Sequence, residues 1–337
     1  MLPRSIRNLL LLLSIILVVI GGVTTTKKSK KKKPYQYDTS RYVNICLSKP
    51  TLQSSRDHKA LQWLLQTSGE RSIQSEKAHQ HKAACWILHS DKKSKAPSKR
   101  FSQRYALAVL YYATQGDKYW EIKTNWMSGS KSECTWYGVE CDAFGTVIGL
   151  ELGFNALNGL LPRELALLQK VKEVDFHGND LQGIIPHGIM FAWKDCKILR
   201  LHMNGFFGNL HSEISLMKSL EELHVFGNYL QGTLPKEIAS LKKLKVLDVY
   251  ANAFEGRIPT QLGNLKHLKE LDVHDNFFVG TMPQEVCDRK LNFLVADCLE
   301  GAYKEIGCKC CTICCEGLPN MRCIDQVTKK QVIVGMQ

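Results

Sequence analysis

Three observations make this 337-residue chain an α/β solenoid. Asn155, Asn179, Asn204, Asn228, Asn252 and Asn276 recur at intervals of 24, 25, 24, 24 and 24 residues. Each lies in the frame LxxLxLxxNxLxGx(I/L)P, clearest in Leu244, Leu247, Val249, Asn252, Phe254, Gly256, Ile258 and Pro259. After the proline, apolar residues fall at +3 and often +6, as in Pro259, Leu262 and Leu265. A unit this short cannot bury its own apolar face, so it stacks on copies of itself.

The alternating apolar residues of LxxLxLxxN predict a short half-buried strand, with neighbouring copies paired about 4.8 Å apart in a parallel sheet. The asparagine that closes each strand offers two donors and two acceptors. All six are therefore read as structural, satisfying backbone groups of a tight turn. The +3 and +6 spacing predicts one or two helical turns on the convex side. The third copy departs from the frame: His211 stands where the proline belongs, Cys196 takes the first leucine position, and the convex side is one residue longer. Cys196 is expected to be a buried free thiol, packing as a small hydrophobe.

The Gly-x-(Ile/Leu)-Pro ending resembles the plant-specific leucine-rich repeat of receptor-kinase ectodomains and polygalacturonase-inhibiting proteins. That resemblance implies a right-handed leucine-rich repeat superhelix of about six 24-residue repeats with a helical amino-terminal cap and a Cys-rich carboxy-terminal cap. Trp126 followed by Cys134-Thr-Trp136-Tyr-Gly138-Val139-Glu-Cys141 looks like the plant-type amino-terminal cap with its short disulfide loop. Helices are predicted ahead of it over residues 58–66 and 103–114, the second stopped by Gly116. After the sixth repeat a seventh strand begins over residues 291–296, but Leu299 holds the asparagine position and the chain turns Cys-rich. ALQWL, RYALAVLYYATQGDKYW, ECTWYGVEC and VADC…CKCCTICC are together similar to leucine-rich repeat proteins of diatoms and related algae, over roughly residues 58–323. The chain departs from them between Ser68 and Ser102, where a basic, histidine-bearing stretch separates the two cap helices.

The predicted organisation is a signal peptide or signal anchor over 1–22, a basic linker over 23–45 and a helical amino-terminal cap region over 46–145. Repeats follow over 146–290, a Cys-rich cap over 291–323 and a tail over 324–337, too short for a catalytic domain. Arg4 and Arg7 precede an apolar run of about 15 residues, short of the ~20 a spanning helix needs. Cleavage after Gly21 or Gly22 is expected; retention as a membrane tether is the alternative.

Thirteen cysteines point to an oxidising compartment, hence to the secretory pathway, with the repeats secreted or anchored outside the cytosol. The tally pairs Cys134 with Cys141, allows Cys46 with Cys85, and pairs Cys287, Cys298, Cys308, Cys310, Cys311, Cys314, Cys315 and Cys323 among themselves. The CxCCxxCC spacing fits no single tetrahedral zinc pattern, so no metal and no cofactor is expected. The net charge of +13 comes from residues 27–33 and 92–104; residues 146–283 carry 14 basic against 15 acidic side chains. A basic face on the folded body is missing, and nucleic acid is not an expected partner. With no Asn-x-Ser/Thr sequon, N-glycosylation is not expected either.

Function is expected on the concave sheet. One outward column runs Glu151, Asp175, Arg200, His224, Asp248 and Asp272; the next runs Gly153, His177, His202, Phe226, Tyr250 and His274. The residues from Asp175 to His274 in these columns are the candidate ligand-binding set, since Tyr, Phe and His combine apolar area with polar edges. Pointing outward, Phe226 and Tyr250 are expected to serve binding and not stability, and the histidines beside the acidic column to gain charge toward pH 6. No GxSxG, HExxH or Gly-rich phosphate loop occurs, so catalysis is not expected. The sequence reads as a non-enzymatic extracellular recognition protein for a protein, peptide or polysaccharide. An inhibitor of a secreted hydrolase is the first alternative, and a metal-binding protein using the Cys and His clusters the second.

Overall fold

The computed structural model describes residues 45–46, 55–94, 98–299, 306–316 and 322–332. All belong to one compact unit spanning residues 37–337. The leader over 1–22 and the linker over 23–45, apart from Ile45, lie outside the described residues. No described helix is long and apolar enough to cross a membrane.

The solenoid read from the asparagine period is present. Eleven strands form one sheet in chain order: Val139–Cys141, Val147–Glu151, Glu173–Asp175, Ile198–Arg200, Glu222–His224, Val246–Asp248, Glu270–Asp272, Phe293–Asp297, Ile313–Cys315, Cys323–Asp325 and Gln331–Val332. Pairing is parallel from Val147–Glu151 through Ile313–Cys315 and antiparallel at both ends. Leu150, Val174, Leu199, Leu223, Leu247, Leu271 and Leu294 lie in register at the strand centres, each at most 2% exposed. Alternation then turns the residues on either side of them outward.

A second sheet of six strands, Asn158–Leu160, Asp180–Gly183, Gly205–Asn209, Tyr229–Thr233, Ala253–Gly256 and Phe277–Phe278, was not anticipated from the sequence. The glycine of Gly-x-(Ile/Leu)-Pro makes it fit. Gly183 and Gly232 have φ of +83° and +74°, and a Cβ there would lie 2.7 Å from Leu160 and 2.8 Å from Asn209 of the repeat before. Only glycine gives both the left-handed backbone and the space. On the convex side the +3 spacing becomes 3-10 turns at Arg163–Leu167, Ser212–Leu216, Lys236–Ser240 and Thr260–Asn264. The extra residue lies after Pro186 of the second copy and not in the third, whose convex turn is ordinary; there an α-helix, His187–Ala192, replaces the 3-10 turn, followed by the buried Trp193 and the buried free thiol of Cys196.

The asparagines form a continuous ladder. Asn228 accepts from the Phe206 amide at 3.0 Å and donates to the carbonyls of Leu201, Val225 and Phe226 at 3.0–3.2 Å. Asn179, Asn204, Asn252 and Asn276 repeat the scheme, each reaching back one repeat. Asn155 reaches back to both backbone groups of Ile122 in the cap. At the far end Asp297 takes over, its carboxylate accepting from the backbone of Asp275 and Asn276.

The amino-terminal cap contains α1 (Ser55–Ser68), α2 (Glu70–Gln74), α3 (His79–His89) and α4 (Lys99–Ala113). The stretch read as a separator is thus mostly helical, because Ala83, Ala84, Trp86 and Ile87 give α3 a buried face. Cys46 is bonded to Cys85, and Cys134 to Cys141. Ser68 bridges Tyr105 at 2.7 Å and Glu164 at 2.8 Å, tying these helices to the first convex turn. Arg104 is fully buried between the rings of Trp86 and Trp136, 5.2 and 5.0 Å away, and ion-paired to Asp91 at 2.8 Å and Glu133 at 3.1 Å. The carboxy-terminal cap carries Cys287–Cys310, Cys298–Cys314, Cys308–Cys311 and Cys315–Cys323. Beyond the seventh strand, Ile313–Cys315 adds another parallel strand and two antiparallel strands follow it, none of them expected from the repeat pattern.

Candidate ligand-binding face

Parallel register places Glu151, Asp175, Arg200, His224, Asp248 and Asp272 side by side across the concave sheet. Period-two alternation adds a column that the sequence reading left out: Glu173, Glu222 and Glu270. Arg200 gathers three of these acids, with Nη1 2.6 Å from Glu173 and 3.8 Å from Asp175, and Nη2 3.2 Å from Glu222. His224 lies between Glu222 at 3.6 Å and Asp248 at 3.4 Å.

The adjoining column is a stack of rings. His177, His202, Phe226, Tyr250 and His274 lie 4.6, 4.2, 4.4 and 4.7 Å apart between successive centroids, with planes within 11–23° of parallel. The strand spacing of about 4.8 Å is close to a stacking distance, so flat side chains at one register position must lie face to face. Gly153 begins the column without a side chain, and a Cβ there would come within 2.5 Å of the His177 ring. Phe154, 62% exposed, packs edge-on against His177 at 4.6 Å. Sequence reasoning missed Phe154 and the exposed Met203, although both directly precede a ladder asparagine.

Stacking overturns one expectation. His202, Phe226, Tyr250 and His274 are buried, because each ring is covered by the next. Replacing Phe226 or Tyr250 therefore removes packing as well as surface. The pH expectation fails at His202, whose pKa is driven down to about 3 by burial and by His177 and His224 beside it. His274 differs. Burial opposes its charge, but the hydrogen bond that its Nδ1 donates to Asp272 at 2.5 Å and the carboxylates of Asp272, Asp297 and Asp275 hold its pKa above the usual value. Burial also pushes the Asp272 carboxyl up. Asp175 and His177 repeat the geometry at 2.5 Å, at the more open end. Burial pushes Asp248 up and Asp297 up to about 6.

Two clusters among the described residues have metal-ligand proximity, His274 with Cys315 and Cys323, and Cys298 with Cys308 and Cys311. Every sulfur in them is in a disulfide, so none is a thiolate able to coordinate.

A parallel sheet with an asparagine ladder, a flanking sheet and 3-10 turns defines a leucine-rich repeat solenoid of the plant type. Comparison with known proteins agrees. The Leucine Rich Repeat family model matches residues 219–241. Phytosulfokine receptor 1 of Arabidopsis thaliana is 33% identical over 95 residues, 27% of this chain and 9% of that receptor. The LRR receptor-like serine/threonine-protein kinase GSO2 of the same plant is 35% identical over 101 residues, 30% of this chain and 8% of the kinase. The chain thus matches less than a tenth of the length of either relative. Among solved structures, a plant ice-binding protein is similar with a TM-score of 0.54 at 25% identity, covering 59% of this chain and 63% of that one. The six disulfides fit an oxidising, secretory environment.

Proposed function

We propose that this protein is a non-enzymatic recognition protein, secreted or tethered outside the cytosol, whose concave sheet binds a cationic peptide or protein segment. The observation that carries the proposal is the composition of that sheet. Glu151, Glu173, Asp175, Glu222, Asp248 and Glu270 stand on its outward positions, with Arg200 as the one arginine or lysine among them, beside a continuous ring stack. Lysine and arginine side chains of a partner find carboxylates there, and their stems find the exposed edges of the rings. The similarity to plant receptors and the disulfides support an extracellular setting.

The similar ice-binding protein suggests another ligand for the fold. Here the flanking sheet mixes Leu160, Phe207, Tyr229 and Glu255 on its outer side, which lacks the flat repetition that contact with a crystal lattice needs.

The test is a titration of the purified protein with Lys/Arg-rich and Asp/Glu-rich peptide pools. The basic pool should bind, more weakly as salt rises, and Glu151→Lys with Glu270→Lys, two exposed positions outside the Arg200 ion pairs, should reduce affinity at least tenfold without lowering the melting temperature. Equal binding of acidic peptides, or indifference to both substitutions, would overturn the assignment.

A further inference from the structure

A second site of opposite character lies on the other side of the molecule. We propose that the cleft between the start of α4 and the convex turn of the first repeat binds an acidic saccharide. The cleft has a volume of about 540 Å³, within the range of small-ligand sites.

Its charge is one-sided. Lys99 and Lys170 line it, and no Asp or Glu does. The 15-residue helix α4 begins there, with Ser98 capping the Phe101 amide, so the positive end of the helix adds to the lysines. The acids around it are already engaged. Asp142, which acts on Lys99, accepts from the amides of Phe144 and Thr146; Glu133 is held by Arg100 and Arg104, Asp91 by Arg104, and Glu164 by Ser68 and Gln80. Lys170 pairs only with the exposed Asp195, a contact an incoming anion can replace at little cost.

The uncharged part of the lining selects the rest of the ligand. Trp63, half-buried, is fixed edge-on by Phe101 at 5.4 Å and Tyr105 at 5.8 Å, which makes it a rigid wall. Ser98, Ser102 and Gln169 place hydroxyl and amide groups around it. A sugar ring offers a C–H face for an indole and hydroxyls for such groups, while a carboxylate or sulfate on it meets the lysines. Because this cleft shares no residue with the concave face, the two proposals stand or fall separately.

The test is a calorimetric titration of the full chain with a sulfated, uronate-containing chondroitin disaccharide, using lactose and sodium sulfate as controls. The disaccharide should bind at least tenfold more tightly than either control. Lys99→Gln with Lys170→Gln should reduce that affinity at least tenfold, leaving the melting temperature and basic-peptide binding unchanged. Trp63→Leu should also weaken it, and the exposed lysine pair keeps the test valid if that variant folds poorly. No binding at millimolar disaccharide, equal binding of lactose or of sulfate alone, or an unaffected lysine variant would each overturn the proposal.

Discussion

The two ends of the solenoid solve one problem by different means. The amino-terminal cap covers the first repeat with helices, and its core includes Leu61, Leu64, Tyr105, Leu110, Trp126 and Trp136. At the carboxy terminus the last strands pack a small separate cluster of Val295, Ile313, Cys315 and Cys323, and four disulfides join residues 287 to 323. Where apolar surface is plentiful, burial closes the stack with Cys46–Cys85 and Cys134–Cys141 beside it; where it is scarce, four disulfides crowd into a short segment. The exception inside the larger cap is Arg104, a charge placed among tryptophans.

Reduction should separate the two ends most sharply. Each closed loop of the small cap contributes about 2–4 kcal/mol, so a thiol reductant should expose the amides of Phe293–Asp297 to hydrogen exchange while α4 stays protected. Simultaneous loss of protection at both ends would show that the caps are not independent. Next in size is Arg104→Met, which strands Asp91 and Glu133 without their shared partner. A loss of about 3–5 kcal/mol is expected, with much of it restored when Asp91→Asn and Glu133→Gln are added. If the single variant melts like the parent, the buried ion pairs are not what fixes this cap.

Between the caps, losses should be smaller and alike in every repeat. Phe226→Ala should cost about 3 kcal/mol, the lower end for buried aromatics, and Asn228→Ala about 1–3 kcal/mol by leaving turn groups unpaired; chemical denaturation measures both. The smallest effect is a pH slope at His202. Its folded pKa of about 3 lies below the unfolded value, so its neutral burial costs nothing above pH ~6.5, and stability falls as pH drops toward 3. His202→Phe should keep the stack and flatten that part of the profile relative to the parent. A parallel profile would mean that His202 is not the group responsible.

The repeat architecture was legible because Asn252 and its five equivalents mark a period that only stacking explains. The columns of the concave face followed from counting residues along each strand. Their burial did not, since it depends on ring stacking between chain segments about 24 residues apart. Glu173 and Glu222 were available from alternation but unremarked. The docking of α3 rests on contacts such as Gln80 with Glu164, which leave no periodic trace.

The direction of the asparagine ladder has a consequence for the chain as it leaves the ribosome. The Phe206 amide finds its partner in Asn228, 22 residues later, and Leu230 waits in the same way for Asn252. Each newly emerged turn is therefore incomplete until the following repeat has been synthesised. The helical cap, made first, supplies a surface against which the first repeat can settle. Asp297 ends this dependence by taking the last backbone amides with its own carboxylate, so the growing edge closes only when the final strands have been translated.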